Sequence, residues 1–320
     1  MSQTPLRNQT LVTEFILTGF SEVPQLQVLF FVLFLSLYTM AFCGNCLIVV
    51  AITISSGLHT PMYFFLVNLA VLDVICVCTV VPKLLEILVA QDASISYRGC
   101  MVQMYFLSWS VAAEVLLFTA MAYDRYVAIC QPLYYDSMMS PRVCAALAGA
   151  VWGISIFGAG LNTYLMSRLT FCGPNVIDHF FCEIPPLLLL SCSSTYVNDI
   201  MTIVADIFFA DLNFLLTMVS YGFIISTILK IRTAEGKQRA FSTCSSHLIV
   251  VSMYYSTVIY TYLSPNSSYS PQMGKFLAVL YSTVSPTLNP LIYTLRNKDV
   301  KTALKKVFTL MVEKLYIHSL

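Results

Sequence analysis

Long apolar stretches alternate with short polar segments along almost the whole chain. A helix that crosses a membrane needs about 20 mostly apolar residues, and seven stretches reach that length. Acidic residues inside them are rare, the exceptions being Asp73, Glu114 and three aspartates of the fifth stretch. The pattern predicts an all-α membrane protein, a bundle of seven transmembrane helices. The predicted spans are Leu26 to Ile54, Met62 to Val81, Cys100 to Ala122, Val143 to Met166, Val197 to Leu229, Phe241 to Leu263 and Phe276 to Leu295.

The composition agrees with a membrane protein and argues against other classes. Of the 320 residues, 58% are hydrophobic and 10% are charged, whereas soluble domains carry about 25% charged residues. The net charge of +1 argues against a basic nucleic-acid-binding surface, so we expect membrane lipids and no nucleic acid as partners. Residues 1–25 are polar and lack the apolar core of a signal peptide, so we expect the first span to direct insertion.

Basic residues predict the orientation of the bundle, because cytoplasmic loops are enriched in Lys and Arg. Twelve of the 17 Lys and Arg residues lie after spans one, three and five or in the tail. The prediction is an extracellular N-terminus at 1–25, a transmembrane domain at 26–295 and a cytoplasmic tail at 296–320. A glycosylation sequon at Asn8 agrees with an outer N-terminus. A second sequon, at Asn266, lies in a short loop close to the membrane.

The predicted tail contains an amphipathic segment. Val300, Leu304, Val307, Phe308 and Met311 share one helical face, and the lysines lie elsewhere. A helix of this kind lies in the membrane interface with its lysines near an anionic inner leaflet. We therefore predict a short amphipathic cytoplasmic helix after the seventh span.

Charged residues at two depths of the predicted bundle are candidate functional sites. Asp124 and Arg125 are adjacent where the third span leaves the membrane, so they either anchor the helix or form a pair that can switch when Arg125 is released. Asp73 and Glu114 lie well inside apolar helices. Acids at such depth mark an ion or proton site, or are protonated and hydrogen-bonded within the bundle.

The fifth span carries an acid in its outer half. Asp206, Phe209, Ala210 and Asn213 share one face at about 3.6 residues per turn, and Asp211 is rotated away from it. If this face is turned inward, Asp206 has two interpretations. It contacts a polar or basic group of a ligand, or it is a neutral acid hydrogen-bonded to a neighbouring helix or to water.

The predicted topology divides the eleven cysteines into two groups. Seven lie within spans or at cytoplasmic ends, where disulfides are rare. Cys100, Cys172, Cys182 and Cys192 lie on the outer side and allow three pairings. A zinc site that includes His179 is the alternative, which an oxidising compartment disfavours.

Five segments, in order, carry a family resemblance. They read LHTPMYFFL at 58–66, MAYDRYVAIC at 121–130, three cysteines at 172, 182 and 192, RAFSTCSSH at 239–247 and PTLNPLIYTLRN at 286–297. In these segments the chain resembles the olfactory receptors, a branch of the rhodopsin-like G-protein-coupled receptors. It departs from them where Arg239 replaces the usual Lys and where Tyr254-Tyr255-Ser256 replaces the common Phe-Tyr-Gly.

The resemblance implies an odorant receptor of the plasma membrane and not an enzyme. A small, mostly hydrophobic volatile would bind in the outer half of the bundle. The partner would be the stimulatory olfactory heterotrimeric G protein, which raises cyclic AMP. A transporter or channel built on the membrane acids is the alternative, although no inverted repeat is visible in the sequence. A retinal-based light sensor is excluded because the predicted seventh span contains no Lys for a Schiff base, and no HExxH or GxSxG motif indicates a hydrolase.

The resemblance also implies roles for individual residues. Disulfides would join Cys182 to Cys100 and Cys172 to Cys192. Asp73 and Glu114 would bind a sodium ion as an allosteric modulator, with Ser285 and Asn289 as neighbours, and no other cofactor is expected. The residues of the G-protein switch would be Asp124, Arg125, Tyr126, Tyr221, Asn289, Pro290 and Tyr293. Turn spacing and the resemblance together place the ligand pocket at Leu107, Ser108, Val111, Ala112, Asp206, Phe209, Tyr255, Val258, Ile259, Tyr262 and Val279.

Overall fold

The structure is a computed structural model that describes residues 12–20, 23–90, 92–172, 174–263, 271–296, 299–307 and 309. Within these residues, seven long helices, α1 to α7, are followed by a helical segment, α8, at 299–307. The helices α1, α2 and α4 each begin at a proline, whose missing N–H would have no helical partner at that position. The bounds are Pro24–Ile54, Pro61–Ala90, Tyr97–Cys130, Pro141–Ser167, Tyr196–Lys230 and Ala234–Leu263 for α1 to α6, with α7 running through Pro271–Val279, Leu280–Val284 and Ser285–Arg296.

Five helices of the described chain, α1 to α5, are long and apolar enough to cross a membrane. Each of them extends beyond the apolar stretch predicted from the sequence. Thus α3 continues past Ala122 to Cys130, because Asp124 and Arg125 are bonded to each other inside the bundle. The predicted sixth and seventh spans fall within α6 and α7, and their crossing of the membrane stays a prediction.

The helix α3 lies at the centre of the bundle, where it contacts α2, α4, α5 and α6. Its buried side chains run from Cys100, at the end predicted to be extracellular, to Val127, near the end predicted to be cytoplasmic. We name these two ends the outer and the cytoplasmic end after that prediction. The helix α7 closes the bundle against α1, α2 and α6. One helix therefore touches both the outer cavity and the cytoplasmic end described below.

The close packing of α1 against α7 has a local cause. A Cβ atom added at Gly44 would lie 3.1 Å from the Cβ of Pro290, so only glycine permits this approach. Pro290 has no N–H to donate to the carbonyl of Pro286, one turn earlier. The Asn45 amide donates to that carbonyl at 3.0 Å instead. A small residue and an interhelical hydrogen bond from an amide therefore occur side by side at this contact.

A small β-sheet, which was not predicted, covers part of the outer surface of the otherwise helical bundle. Strand β1, Glu14–Leu17, lies between β2, Ser94–Ser96, and β3, Val176–Ile177. It pairs antiparallel with β2 and parallel with β3. Phe15 and Leu17 are buried in a cluster with Cys100 and Met104. Strands of two to four residues are too short to show a readable alternation in sequence.

Two disulfides hold the loop between α4 and α5, which we call the lid (169–195). Cys100 is bonded to Cys182 and Cys172 to Cys192, with Cα–Cα distances of 5.4 and 5.9 Å. This is the pairing implied by the resemblance. No thiolate of the four is left for the alternative zinc site, and the described residues contain no cluster of three or more metal-ligating side chains. A short helix, Ile184–Leu188, follows Cys182 within the lid.

The segment α8 has the predicted amphipathic character. Val300, Ala303 and Val307 are buried against the helical core, whereas Lys301, Lys305 and Lys306 are exposed. Phe308 and Met311, which the sequence places on the apolar face, lie outside the described residues, as do the sequons at Asn8 and Asn266.

Candidate ligand cavity and cytoplasmic switch

A cavity of about 370 Å³ lies in the outer half of the bundle, between α3 to α7 and the lid. Binding pockets for small molecules start at about 300 Å³ and are mainly apolar, and most of this lining is apolar too. The described lining residues are Leu107, Ser108, Val111, Ala112, Val115, Gly158, Ala159, Asn162, Glu183, Ile184, Pro185, Thr202, Ala205, Asp206, Phe209, Ala210, Tyr254, Thr257, Leu277 and Tyr281.

A π-helical turn in α5 shapes one wall of this cavity. The turn covers Asp206–Asp211 and brings Asp206, Phe209 and Ala210 to the lining. Gly158 of α4 gives the Phe209 ring room, since an added Cβ would lie 3.2 Å from it. Turns of this kind add a residue to the helix and often occur at functional sites.

Asn213, two residues after the turn, was predicted to share the face of Asp206 and does not line the cavity. Asn213 is buried against α3. Its Oδ1 accepts a hydrogen bond from Thr119 at 2.8 Å, and its amide donates to the carbonyl of Phe208 at 2.9 Å. The extra residue of the π-helical turn adds rotation that a constant helical period does not include. Asn213 therefore ties the turn to α3.

Six of the eleven predicted pocket residues line the cavity: Leu107, Ser108, Val111, Ala112, Asp206 and Phe209. Tyr255 does not line the cavity, because its ring packs against Phe214. On α6 the cavity face carries Tyr254 and Thr257 instead. In α7, Leu277 and Tyr281 are one turn apart on the cavity face, whereas Val279 points away and packs near α2. The side chains of Val258, Ile259 and Tyr262 lie outside the described part of the structure.

The lid contributes to the cavity a carboxyl group that was not predicted from the sequence. Glu183 accepts a hydrogen bond from the Tyr281 hydroxyl at 2.8 Å. Burial raises the pKa of Glu183, and the bond from Tyr281 opposes that rise. His179 lies 3.7 Å from the other carboxylate oxygen, and burial lowers its pKa to about 4. The sequence signal was the position of Glu183 directly after Cys182, which the disulfide fixes to the outer end of α3.

The deep acids lie below the cavity. Both carboxylate oxygens of Asp73 accept from the Asn289 amide, at 3.1 and 3.0 Å. Glu114 is fully buried, and neither of its carboxylate oxygens has a hydrogen-bond partner in the structure. The Ser285 hydroxyl and the Asn289 side-chain oxygen are likewise buried without a partner.

At the cytoplasmic end, Asp124 accepts hydrogen bonds from two neighbours. The Arg125 guanidinium donates from Nε at 2.9 Å and also from Nη2. The Tyr135 hydroxyl donates to the second carboxylate oxygen at 2.8 Å. Burial, followed by the charge of Asp124, raises the pKa of Tyr135. Tyr135 lies in the short loop helix Tyr135–Met138 and was not among the predicted switch residues.

The remaining predicted switch residues lie around this end without forming one contiguous set. The Tyr221 hydroxyl and His247 Nδ1 are 2.6 Å apart and join α5 to α6. Tyr126 packs against Phe223, and the Tyr293 hydroxyl is buried without a hydrogen-bond partner. Asn289 is bonded to Asp73 and Pro290 packs on Gly44, as described above.

Comparison with known proteins identifies the family. Residues 34–311 match the family described as olfactory receptor. Human olfactory receptor 13A1 is 61% identical over 303 residues, which cover 95% of this chain and 92% of that receptor. Human olfactory receptor 13G1 is 52% identical over 304 residues, covering 95% and 99%. Mouse olfactory receptor 8G50 is 46% identical over 302 residues, covering 94% and 96%. The chain therefore belongs to the olfactory receptors, a family of G-protein-coupled receptors and not of enzymes.

Proposed function

We propose that this receptor binds a small, mostly hydrophobic odorant in the cavity and activates the stimulatory olfactory G protein, which raises cyclic AMP. The observation that carries the proposal is the mainly apolar cavity of about 370 Å³ under the lid. A wall of this cavity is formed by α3, and the same helix carries the Asp124–Arg125 pair near its other end. Ligand binding and G-protein contact thus involve opposite ends of one central helix.

The proposed topology has seven membrane spans, an extracellular N-terminus at 1–25 and a cytoplasmic tail at 296–320, in the plasma membrane. Two observations support this orientation. Both disulfides lie at the end of the bundle where β1 covers the surface, and disulfides persist on the oxidising side of a membrane. The buried face of α8 packs in the cluster that contains Leu58, from the turn between α1 and α2, and its lysines are exposed, as the enrichment of basic residues on the cytoplasmic side leads us to expect.

Activation is proposed to depend on the cytoplasmic pair. In the structure Asp124 holds Arg125 and is itself held by Tyr135. An odorant shifts the receptor toward its active state only through a higher affinity for that state. Release of Arg125 from Asp124 would expose a guanidinium to the G protein or to neighbouring helices. Tyr221, which joins α5 to α6 through His247, lies beside this region.

A sodium ion near Asp73 and Glu114 is proposed as an allosteric modulator. The support is the carboxylate of Glu114, which is buried with no hydrogen-bond partner for either oxygen among the described residues. The Ser285 hydroxyl and the Asn289 side-chain oxygen of α7 are also buried without a partner there. A buried carboxylate needs either a proton or a cation, and hard oxygen donors of this kind suit sodium. Sodium-dependent thermal stability of the purified receptor, lost in Asp73→Asn, would support the site; equal stability in sodium and in choline chloride would refute it.

The test of the proposed function is a cyclic AMP reporter assay in cells that co-express the stimulatory olfactory G protein. Wild type is screened against a broad panel of volatiles. Ala112→Phe places a ring in the cavity, and we expect it to reduce odorant potency by at least about tenfold, the equivalent of about 1.4 kcal/mol. Val102→Phe is the matched control, because Val102 is exposed on the outside of the same helix.

Two results would contradict the proposal. One is a response of Ala112→Phe equal to that of wild type at matched surface expression. The other is a wild-type receptor that reaches the surface and responds to volatiles through a different G protein without a change in cyclic AMP.

A further inference from the structure

Glu183 gives the cavity a carboxylate that is oriented by the protein but only half satisfied. One of its oxygens accepts from Tyr281 at 2.8 Å. The second faces His179 at 3.7 Å, a distance too long for a hydrogen bond. His179 is buried, and its pKa of about 4 leaves the ring neutral at neutral pH. The second oxygen is therefore available to a donor on a ligand.

The described lining of the cavity contains acids but no compensating cation. Asp206 of α5 is the second carboxyl group, and the described lining residues include no Lys, Arg or His. Lys275, at the outer end of α7, is bonded to Asp178 at 2.8 Å and to the N-terminal segment at Thr18. Its charge is therefore already paired outside the cavity.

The Glu183 side chain is 34% exposed and lies against a mainly apolar lining. An acidic group in such a cavity favours a ligand that brings a positive charge. Burial of Glu183 penalises its charged form, and an ammonium group within hydrogen-bond distance would offset that penalty. Charge-assisted hydrogen bonds of this type are about twice as strong as neutral ones. The apolar remainder of the lining fits a hydrocarbon body of modest size.

We infer that the receptor recognises small odorants with a protonated amino group, and that the Glu183 carboxylate binds the ammonium while the α3 and α5 walls hold the hydrocarbon part. The inference rests on the proposed function of the cavity as the odorant site. It names the ligand class and makes Glu183 the residue that sets specificity. Tyr281 orients the carboxylate from α7.

The test uses the purified full-length receptor and direct binding, so that it does not depend on a G protein. The probes are three amines and the corresponding alcohols: hexylamine and hexanol, cyclohexylamine and cyclohexanol, 2-phenylethylamine and 2-phenylethanol. We expect at least one amine to bind about tenfold more tightly than its alcohol, as a hydrogen bond to a charged group predicts. Equal or tighter binding of all three alcohols would overturn the inference.

Variants assign the preference to one residue. Glu183→Gln keeps the shape and removes the charge, and we expect it to bind an amine and its alcohol equally. Glu183→Asp retains the charge and should retain most of the preference, which shows that the lid still folds. Asp206→Asn is the matched control for the second acid of the cavity. Loss of the preference in Asp206→Asn but not in Glu183→Gln would overturn the assignment to Glu183.

The cellular assay separates this inference from the proposed function. Tight amine binding to the purified receptor, without any rise in cyclic AMP in cells, would contradict the proposed coupling and leave the ligand class in place. A cyclic AMP response to alcohols or hydrocarbons alone would support the coupling and overturn the ligand class.

Discussion

Removing the hydroxyl of Tyr135 should raise the basal activity of the receptor. In the structure this hydroxyl donates to Asp124 at 2.8 Å, and Asp124 also holds Arg125. A hydrogen bond to a charged group contributes about 1.5–3 kcal/mol. Because Asp124 keeps its bonds to Arg125 in Tyr135→Phe, we take the contribution lost with the Tyr135 hydrogen bond to be about 1.4 kcal/mol. This corresponds to about tenfold in an equilibrium constant.

The effect on activity follows from the difference between two states. If Tyr135 bonds Asp124 only while Arg125 is held, the substitution weakens the inactive state alone. A receptor that rests mainly in that state then populates its active state about tenfold more often. The assay is cyclic AMP in the absence of odorant, at surface expression matched to wild type.

Tyr134→Phe is the control, because Tyr134 is the adjacent residue with an exposed side chain. It should leave basal cyclic AMP unchanged. Equal basal activity in wild type, Tyr134→Phe and Tyr135→Phe would refute the reasoning. It would mean that the bond between Tyr135 and Asp124 contributes equally to both states.

Two further substitutions test the packing of α1 on α7 and the outer surface. Gly44→Ala should lower the thermal unfolding midpoint of the purified receptor, because the added Cβ would lie 3.1 Å from Pro290 and overpacking costs about 1–3 kcal/mol. Gly149→Ala is the control: Gly149 has open space around it, so the midpoint should stay unchanged. Asp178→Asn should lower the unfolding midpoint of the purified receptor slightly at neutral pH. The hydrogen bond from Lys275 lowers the pKa of Asp178, so its stabilisation is complete above the unfolded pKa of about 3.9 and is lost as pH falls through the lower folded value. Because Asp178 is 62% exposed, the effect is at most about 1 kcal/mol, and the two unfolding midpoints should converge below that pH.

The sequence was sufficient where one physical rule dominates. Apolar runs predicted helices at every position where α1 to α7 occur, because a helix that crosses a bilayer must be long and mostly apolar. The family resemblance is confirmed by the comparisons. Asp206 and Phe209 were predicted to share a cavity face, and both line the cavity.

The sequence was insufficient where geometry departs from a regular period or depends on distant pairing. The π-helical turn at Asp206–Asp211 interrupts the regular helical period of α5, and Asn213 bonds to α3 below the cavity lining. In the described part of α6, Tyr254 and Thr257 line the cavity, whereas the predicted Tyr255 packs against Phe214. Glu183 reaches the cavity through the path of a loop, and strand β1 pairs with a strand more than a hundred residues away. No local pattern contains that information.

The α3–α5 interface is the structural connection between the cavity and the cytoplasmic switch. Asn213 donates to the carbonyl of Phe208 within the π-helical turn and accepts from Thr119 of α3. The adjacent Phe209 lines the cavity, and its ring has little free space beside Gly158. An odorant that displaces Phe209 must therefore deform the turn, and the turn is bonded to the helix that carries Asp124 and Arg125. Because packed interiors respond to strain by repacking between discrete arrangements, we expect a ligand that displaces Phe209 to act on the packing of α5 against α3 through this turn.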